Sequence, residues 1–340
     1  MTKIFERTFA PGEHILVEAK KKEYTKHTFV PKAFDEYMGQ VNIKKRISIY
    51  LESAKKRGAS LDHMLLFGPP GLGKTTLAEI IAKEMGKKIK ITSGPVLQKV
   101  GDLLALLTGL KEGEIFFIDE IHRLPINVEE ALYSAMEQYR VDIVIGAGNT
   151  AKTVTMNLAP FTLIGATTKL GLLSAPLRSR FGIVEKFEWY ESSELKAILH
   201  QTANFFHIEL TDDAAEEIAL VSRGTPRIAK KIMHKVRDYA TVRTEGKVTK
   251  EIIKEVFSFF QIFQSGLTPT DIEILKILLK RCQPIGVESL SRLINEEIET
   301  IEEVYEPFLL QLGFIERTLR GRIINEEKKK EIEDIIHSVY

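Results

Sequence analysis

The chain has 340 residues and a mass of 38.6 kDa, enough for two or three domains rather than one. Its 48 basic and 47 acidic side chains leave a net charge of +1, so a nucleic-acid partner would have to be met by a local patch rather than by overall basicity. One cysteine, Cys282, excludes an internal disulfide and a cysteine-built zinc site. The charged start Met1-Thr-Lys-Ile-Phe-Glu6 and the lack of any long apolar run predict a cytoplasmic chain that does not cross a membrane.

In chain order, residues 1–28 read as an uncommitted, solvated arm with a short basic run, Lys20–His27. Phe29–Gly39 follows, carrying Pro31, Phe34, Tyr37 and Met38 just ahead of a helix expected over about 40–57. Such an apolar segment can face an adenine ring, or it can be ordinary core. Gly58–Asp62 connects into the first core strand.

The chain is organised around Phe67-Gly-Pro-Pro-Gly-Leu-Gly-Lys-Thr-Thr76, which follows the apolar run His63–Phe67 and precedes a segment of helical period. With Gly68, Gly71 and Gly73 interleaved by Pro70 and Leu72, successive backbone N–H groups can turn toward a phosphate. Lys74 is then placed to reach the β- and γ-phosphates, Thr75 to ligate Mg²⁺, and Thr76 to continue the loop into a helix N-terminus. A strand before and a helix after make an accidental match rare, so this is read as a nucleotide-binding loop.

Hydrolysis needs a second acid site. Glu114-Ile-Phe-Phe-Ile-Asp-Glu-Ile-His122 is a buried-strand pattern ending in two carboxylates. Asp119 would hold Mg²⁺ through its water shell and Glu120 would polarise the attacking water, unless the two acids merely cap the next helix. Strands are expected at 63–67, 88–92, 114–118, 161–166 and 183–187, and helices near 75–85, 99–108 and 127–139. That alternation marks a parallel sheet covered on both faces. The strand ends at 67, 118 and 166 should lie side by side, where such sheets bind ligands.

Residues 141–158 carry two alternating β-branched runs around a Gly/Asn turn and read as a β-hairpin insert. Val141, Ile143, Val144 and Ile145 give it more apolar surface than a connection needs, which suits either core extension or partner docking. After strand 161–166, Thr168 is placed to hydrogen-bond the γ-phosphate or the attacking water. Arg178 and Arg180 follow; an arginine supplied across a subunit boundary would stabilise the transferring phosphoryl group, the role read for Arg180, with surface ion pairing the alternative for both and a stronger one for Arg178.

Beyond Trp189-Tyr190 the pattern is helical only, at about 191–205, 211–222, 225–243 and 249–258. Ser222-Arg-Gly-Thr-Pro-Arg227 turns into a helix with Pro226 in its first turn, and Arg227 could reach back to a nucleotide. From Gly266 onward, three short helices near 270–280, 286–294 and 300–311 precede a hairpin crowded by Arg317, Arg320 and Arg322. This reads as a winged helix whose basic hairpin either contacts a phosphate backbone or is simply solvated. The tail from Glu326 reads as a charged helix.

These strings together resemble the RuvB family of bacterial Holliday-junction branch-migration motors, AAA+ ATPases, over essentially residues 28 to 325. The phosphate loop marks only the superfamily. Phe161–Gly182, Gly224-Thr-Pro-Arg227 and Tyr305-Glu-Pro-Phe-Leu-Leu-Gln-Leu-Gly-Phe-Ile-Glu-Arg-Thr318 single out the family. The resemblance implies an AAA+ domain over 1–190, a small helical lid over 191–265 and a winged-helix DNA-binding domain over 266–340. It implies a six-subunit ring that uses ATP, with ADP as product, to draw duplex DNA through a four-way junction in recombination and repair. RuvA would dock at the 141–158 hairpin and the RuvC resolvase would act later.

Carried over by position, Lys74 and Thr75 belong to the phosphate loop and Asp119 and Glu120 are the acid pair. Thr168 matches the first sensor, Arg180 the trans arginine finger and Arg227 the second sensor. Tyr37, Met38, Tyr190 and Pro226 fall in the segments around the adenine, and Arg317, Arg320 and Arg322 match the DNA-contacting wing. The chain departs from the family at Val30 (usually Arg), Lys169 (usually Arg), Leu319 (usually Pro), the Cys282–Gly286 turn and the hairpin turn, where Ala147 replaces a usual acid. No catalytic group is lost. A clamp-loader or replication-initiator type AAA+ ATPase shares the core and is the alternative, and a nucleotide-switched scaffold without hydrolysis is a more distant one.

Overall fold

In the computed structural model, residues 28–145, 152–244, 246–263 and 266–338 are described. The arm 1–27 and the hairpin turn 146–151 lie outside them, as do the side chains of Ile143, Val144 and Ile145.

The ATPase part begins with α1 (Val41–Arg57), followed by β1 (Met64–Phe67) and α2 (Lys74–Glu84). Next come β2 (Ile89–Ser93), α3 (Val100–Leu107), β3 (Ile115–Asp119) and α4 (Ile126–Gln138). After the hairpin β4 (Arg140–Ile145) and β5 (Lys152–Asn157), the chain runs through β6 (Thr162–Thr167), α5 (Ala175–Ser179) and β7 (Ile183–Lys186). Five of these strands form one parallel sheet in the order β2-β3-β6-β1-β7.

The period-2 alternation of a strand sorts its side chains between two cores. Met64 and Leu66 face one side with Phe117 and Ile164, against Ile47 and Leu51 of α1 and Leu77 and Ile81 of α2. Leu65 faces the other with Phe116, Ile118 and Leu163, against Leu104 and Leu107 of α3 and Leu132 of α4. Both faces are covered, which explains why β1 and β3 are almost wholly apolar and why β6 is buried along its whole length.

The hairpin is a separate two-stranded antiparallel sheet. It is anchored at its base, where Val141 is buried in the second core, and Asp142 accepts a hydrogen bond from the Thr155 hydroxyl at 2.5 Å. Val154, further out, is exposed.

The lid consists of α6 (Ser192–Phe205), α7 (Asp212–Leu220), α8 (Pro226–Arg243) and α9 (Lys250–Phe259). Thr211 and Thr225 cap α7 and α8 through their hydroxyls. One feature departs from the all-helical expectation: β8 (Glu209–Leu210) and β9 (Lys247–Val248) form a parallel pair. Two-residue strands are too short to show a period, so the sequence pattern could not carry them. The lid's Leu199, Ile218, Met233 and Val256 continue the first core of the ATPase part, so the two share one hydrophobic interior.

The C-terminal part has its own core. It contains α10 (Pro269–Arg281), capped by Thr268 with Asp271 returning the bond, and α11 (Val287–Ile294). A third helical stretch begins at Ile298–Thr300 (α12), passes through a π turn at Ile301–Tyr305 and continues as α13 (Glu306–Gln311). The wing is β10 (Ile315–Thr318) paired antiparallel with β11 (Gly321–Ile324). The charged tail forms α14 (Lys329–Ser338), which buries Ile332 completely in this core. Among the described residues, no helix is long and apolar enough to cross a membrane.

Candidate nucleotide and DNA sites

The parallel register brings the carboxyl ends of β1, β3 and β6 together, with Phe67 beside Thr167 and Ile118 beside Gly165. Three segments therefore converge: the loop after β1, the acids ending β3, and Thr168 after β6. They line a cleft of about 250 Å³ in which Lys74, Thr75, Thr76, Asp119, Glu120 and Thr168 meet Pro226 and Arg227 of the lid.

The loop owes its shape to its glycines. Gly73, at φ 95°, caps α2, and a Cβ there would lie 2.7 Å from the Tyr37 hydroxyl. Gly71, at φ 82°, lies under Arg227, whose backbone N–H donates to the Gly71 carbonyl at 3.3 Å. Only glycine fits such close approach at positive φ. Leu72 is fully buried beneath the loop. The Gly68 amide donates to the Thr167 carbonyl at 3.2 Å, which fixes the loop's root to β6. The first turn of α2 points its unpaired N–H groups into the cleft, a ready site for phosphate.

Lys74 is buried and donates to the carbonyls of Gly68 at 2.8 Å and Pro69 at 2.9 Å. Burial pushes its pKa down to about 8, against the opposing pull of Glu120 and Asp119. A phosphate chain would supply the negative charge that this ammonium lacks.

Glu120 adopts a left-handed backbone conformation, φ 48°, which turns it out of the line of β3. Its carboxylate accepts from the Thr168 hydroxyl at 3.3 Å and lies 3.2 Å from His122 Nδ1. His122 is itself 2.9 Å from the hydroxyl of the buried Thr167, and burial lowers its pKa, so the imidazole is neutral near pH 7. Asp119 accepts from the Glu120 amide at 3.0 Å and lines the same cleft. Neither acid caps a following helix; the turn after them, Ile121–Arg123, has no side-chain cap.

Thr75 and Asp119 would supply only oxygen donors, and the described residues hold no cluster of three or more His, Cys, Asp or Glu. That donor set fits Mg²⁺, which keeps several waters and takes phosphate oxygens, and does not fit an all-protein metal cage.

A second, smaller lobe of about 40 Å³ adjoins the cleft and is lined by Tyr37, Met38, Tyr190 and Pro226, with Phe29 and Ile198. Tyr37 and Tyr190 are both core and lobe wall, so the sequence alternatives for this segment are not exclusive. The Tyr190 hydroxyl donates to the Leu72 carbonyl at 3.1 Å, and that of Tyr37 to the same carbonyl at 3.3 Å, tying the lobe to the phosphate loop. Burial pushes the Tyr190 pKa up to about 12, so the phenol stays a donor. An apolar slot beside a polar, cationic cleft matches the two halves of a nucleotide.

Arg180 does not line either lobe. Its guanidinium lies 4.5 Å from the Tyr133 ring centroid, donates to the Pro176 carbonyl at 2.7 Å and pairs with Glu137 at 3.1 Å. Arg178 is likewise absent from the cleft. In the wing, the three arginines differ. Arg320 is exposed at the turn beside the fully exposed Leu319. Arg317 pairs with Glu306 at 2.5 Å, and Arg322 pairs with Glu306 at 2.8 Å and Glu302 at 3.0 Å and is only 12% exposed.

Sequence reading missed Lys230, which lines both lobes. Its position three residues beyond Arg227 in α8, on the same helical face, was the available signal. It also missed Gln201, which reaches the Glu36 carbonyl at 3.2 Å and lines the smaller lobe.

Comparison with known proteins covers nearly all of this architecture. A family model described as the Holliday junction DNA helicase RuvB P-loop domain matches residues 29–187, the RuvB AAA lid domain matches 190–262, and the RuvB C-terminal winged helix domain matches 264–333. The Holliday junction branch migration complex subunit RuvB of Kosmotoga olearia is 49% identical over 308 residues, 90% of each chain. That of Oenococcus oeni is 52% identical over 297 residues, 87% of this chain and 88% of its own. A solved structure named as the Thermotoga maritima RuvB Holliday junction branch migration motor superposes with a TM-score of 0.81 at 47% identity, covering 89% of this chain and 98% of that one.

Proposed function

The chain belongs to the RuvB family of Holliday-junction branch-migration ATPases, and from that premise we propose how its residues divide the work. It is an ATP hydrolase that drives branch migration of four-way DNA junctions. The family-specific lid and winged helix favour this reading over a clamp loader or replication initiator. The observation that carries the chemistry is the meeting of Lys74, Asp119, Glu120, Thr168 and Arg227 in one cleft at the carboxyl edge of a parallel sheet.

Within that cleft, the loop amides from Gly71 to Thr76 and the Lys74 ammonium bind the phosphate chain of ATP or ADP, with Gly68 and Pro70 shaping the loop's root, and Tyr37, Met38, Tyr190 and Pro226 hold the base. Mg²⁺, held by Thr75 and Asp119, would neutralise phosphate charge. Glu120 orients the attacking water, with Thr168 fixing the carboxylate it bonds. Arg227 reports from the lid on the phosphates. Arg180 serves the site of a neighbouring subunit in a homo-hexameric ring, consistent with its absence from its own cleft.

The three parts act as motor (residues 1–190), lid (191–265) and DNA domain (266–340). Arg320 and the exposed side of Arg317 face the phosphate backbone, while Arg322, held by Glu302 and Glu306, shapes the wing. The β4–β5 hairpin docks RuvA, RuvC acts in the same resolving complex, and the assembly works in the cytoplasm in recombination and repair.

The test is ATP turnover by the purified chain with a synthetic four-way junction, with and without RuvA from the same source. Duplex DNA of equal length serves as control. Turnover and strand separation that need both junction and RuvA are expected; turnover indifferent to DNA, or raised only by primed duplex, would overturn the branch-migration assignment.

A further inference from the structure

Lys230 lies on α8 one turn beyond Arg227, where the two lobes of the cleft meet. The residues common to both lobes are Gly73, Thr76, Pro226 and Lys230, and of these only Lys230 carries a charge. Its ammonium donates to the Phe29 carbonyl at 2.8 Å and lies 5.6 Å from the Phe29 ring centroid. Among the described residues no carboxylate pairs with it. An ammonium has three N–H donors, so the carbonyl leaves donors over for the cleft. Burial alone pushes its pKa down to about 8, as expected of a cation desolvated without a compensating anion.

A nucleotide bound with its base in the small lobe and its terminal phosphates at Lys74 must place its ribose and α-phosphate at this waist. We propose that Lys230 is a nucleotide-binding residue whose ammonium bridges the Phe29 carbonyl and the α-phosphate of bound ATP or ADP. The inference rests on reading the cleft as a nucleotide site and adds a second lid cation to Arg227. It also gives the segment 28–38 a stake in the nucleotide. That segment meets the lid again where the Thr28 hydroxyl lies 3.1 Å from His234 Nε2 and where Gln201 donates to the Glu36 carbonyl. Bound phosphate would thus tighten motor, lid and segment together.

The test compares affinities for ADP and for adenosine in the full chain, its Lys230→Ala variant and its Lys230→Arg variant. Calorimetry suits ADP, competition suits adenosine, and circular dichroism checks the fold. Lys230→Ala should weaken ADP about tenfold, the size of one charge-assisted hydrogen bond, and leave adenosine unchanged. Lys230→Arg should recover most of the loss. Equal losses for adenosine and ADP would show that Lys230 only anchors Phe29, and unchanged ADP affinity would remove it from the site; either result overturns the proposal. Failure of the wild-type chain to bind ADP at all would overturn the nucleotide reading itself, and this inference with it.

Discussion

The guanidinium of Arg223, in the turn leading into α8, lies 4.4 Å above the ring centroid of Phe308 in α13 and pairs with the fully buried Asp271 of α10. Its Nε also donates to the Gly266 carbonyl at 2.8 Å. Arg223 is four residues from Arg227, so the arginine that lines the cleft and the clamp on the winged helix share one short segment. A second tie crosses from the motor, where Lys169, next to Thr168, pairs with Glu303 at 2.7 Å. A movement of the lid at Arg227 must therefore carry the winged helix with it.

Arg223→Ala should strip Asp271 of its cation and leave a buried carboxylate held only by Thr268. Removing one partner of a buried pair costs about 3–5 kcal/mol. The expected outcome is a lower denaturation midpoint with basal ATP turnover retained and junction-stimulated turnover lost. Full stimulation by junction DNA in this variant would show that the clamp does not couple the parts.

Glu120→Gln should keep ATP affinity and lose turnover. The amide preserves size and can still meet the Thr168 hydroxyl, yet it no longer attracts a proton from water. General-base roles of this kind contribute about 10²–10⁴ in rate. Single-turnover hydrolysis with prebound ATP separates the two effects, and wild-type turnover would remove Glu120 from the hydrolytic role.

The motor was the most legible part of the sequence, because its strands are buried on both faces and its loop needs glycine at fixed places. Gly71 and Gly73 announce a positive-φ backbone closely approached by other side chains, and Asp119-Glu120 announces itself by ending an apolar strand. What escaped was long-range pairing. Nothing in the local pattern shows that Arg322 turns inward to Glu302 and Glu306, or that Arg223 finds Asp271, since those partners come from other elements. Lys230 escaped for a related reason: its role is visible only once α8 is laid over the phosphate loop. The β8–β9 pair was lost to its length.

The wing carries a pH dependence of its own. Glu306 is 2% exposed, and burial by itself would raise its pKa, but hydrogen bonds from Arg317 and Arg322 overcome burial and hold it below the usual 4.5. A depressed carboxylate stabilises the fold above its unfolded pKa and loses that contribution as pH falls through the folded value. Thermal midpoints should therefore drop below about pH 4.5 in the wild-type chain. Glu306→Gln should be less stable at pH 7 by about 3 kcal/mol or more, with the gap narrowing in acid. A gap that stays constant down to about pH 3 would mean that Glu306 holds the wing by shape and not by charge.

Arg180 offers the sharpest test of assembly. Tyr133, Glu137 and the Pro176 carbonyl hold its guanidinium on the subunit surface, outside the cleft of its own chain. Arg180→Ala should bind ATP as the wild type does and lose turnover by about 10³ or more, the scale of an arginine finger. Lys74→Ala should fail for the opposite reason, since it removes the phosphate contact and keeps the arginine. Mixing the two inactive variants would place intact Lys74 sites beside intact Arg180 side chains at some subunit boundaries and restore part of the turnover. Recovery on mixing is the expected outcome of a shared site. If the mixture stays inactive while both variants still form rings, or if Arg180→Ala abolishes ATP binding by the isolated chain, Arg180 acts on its own subunit.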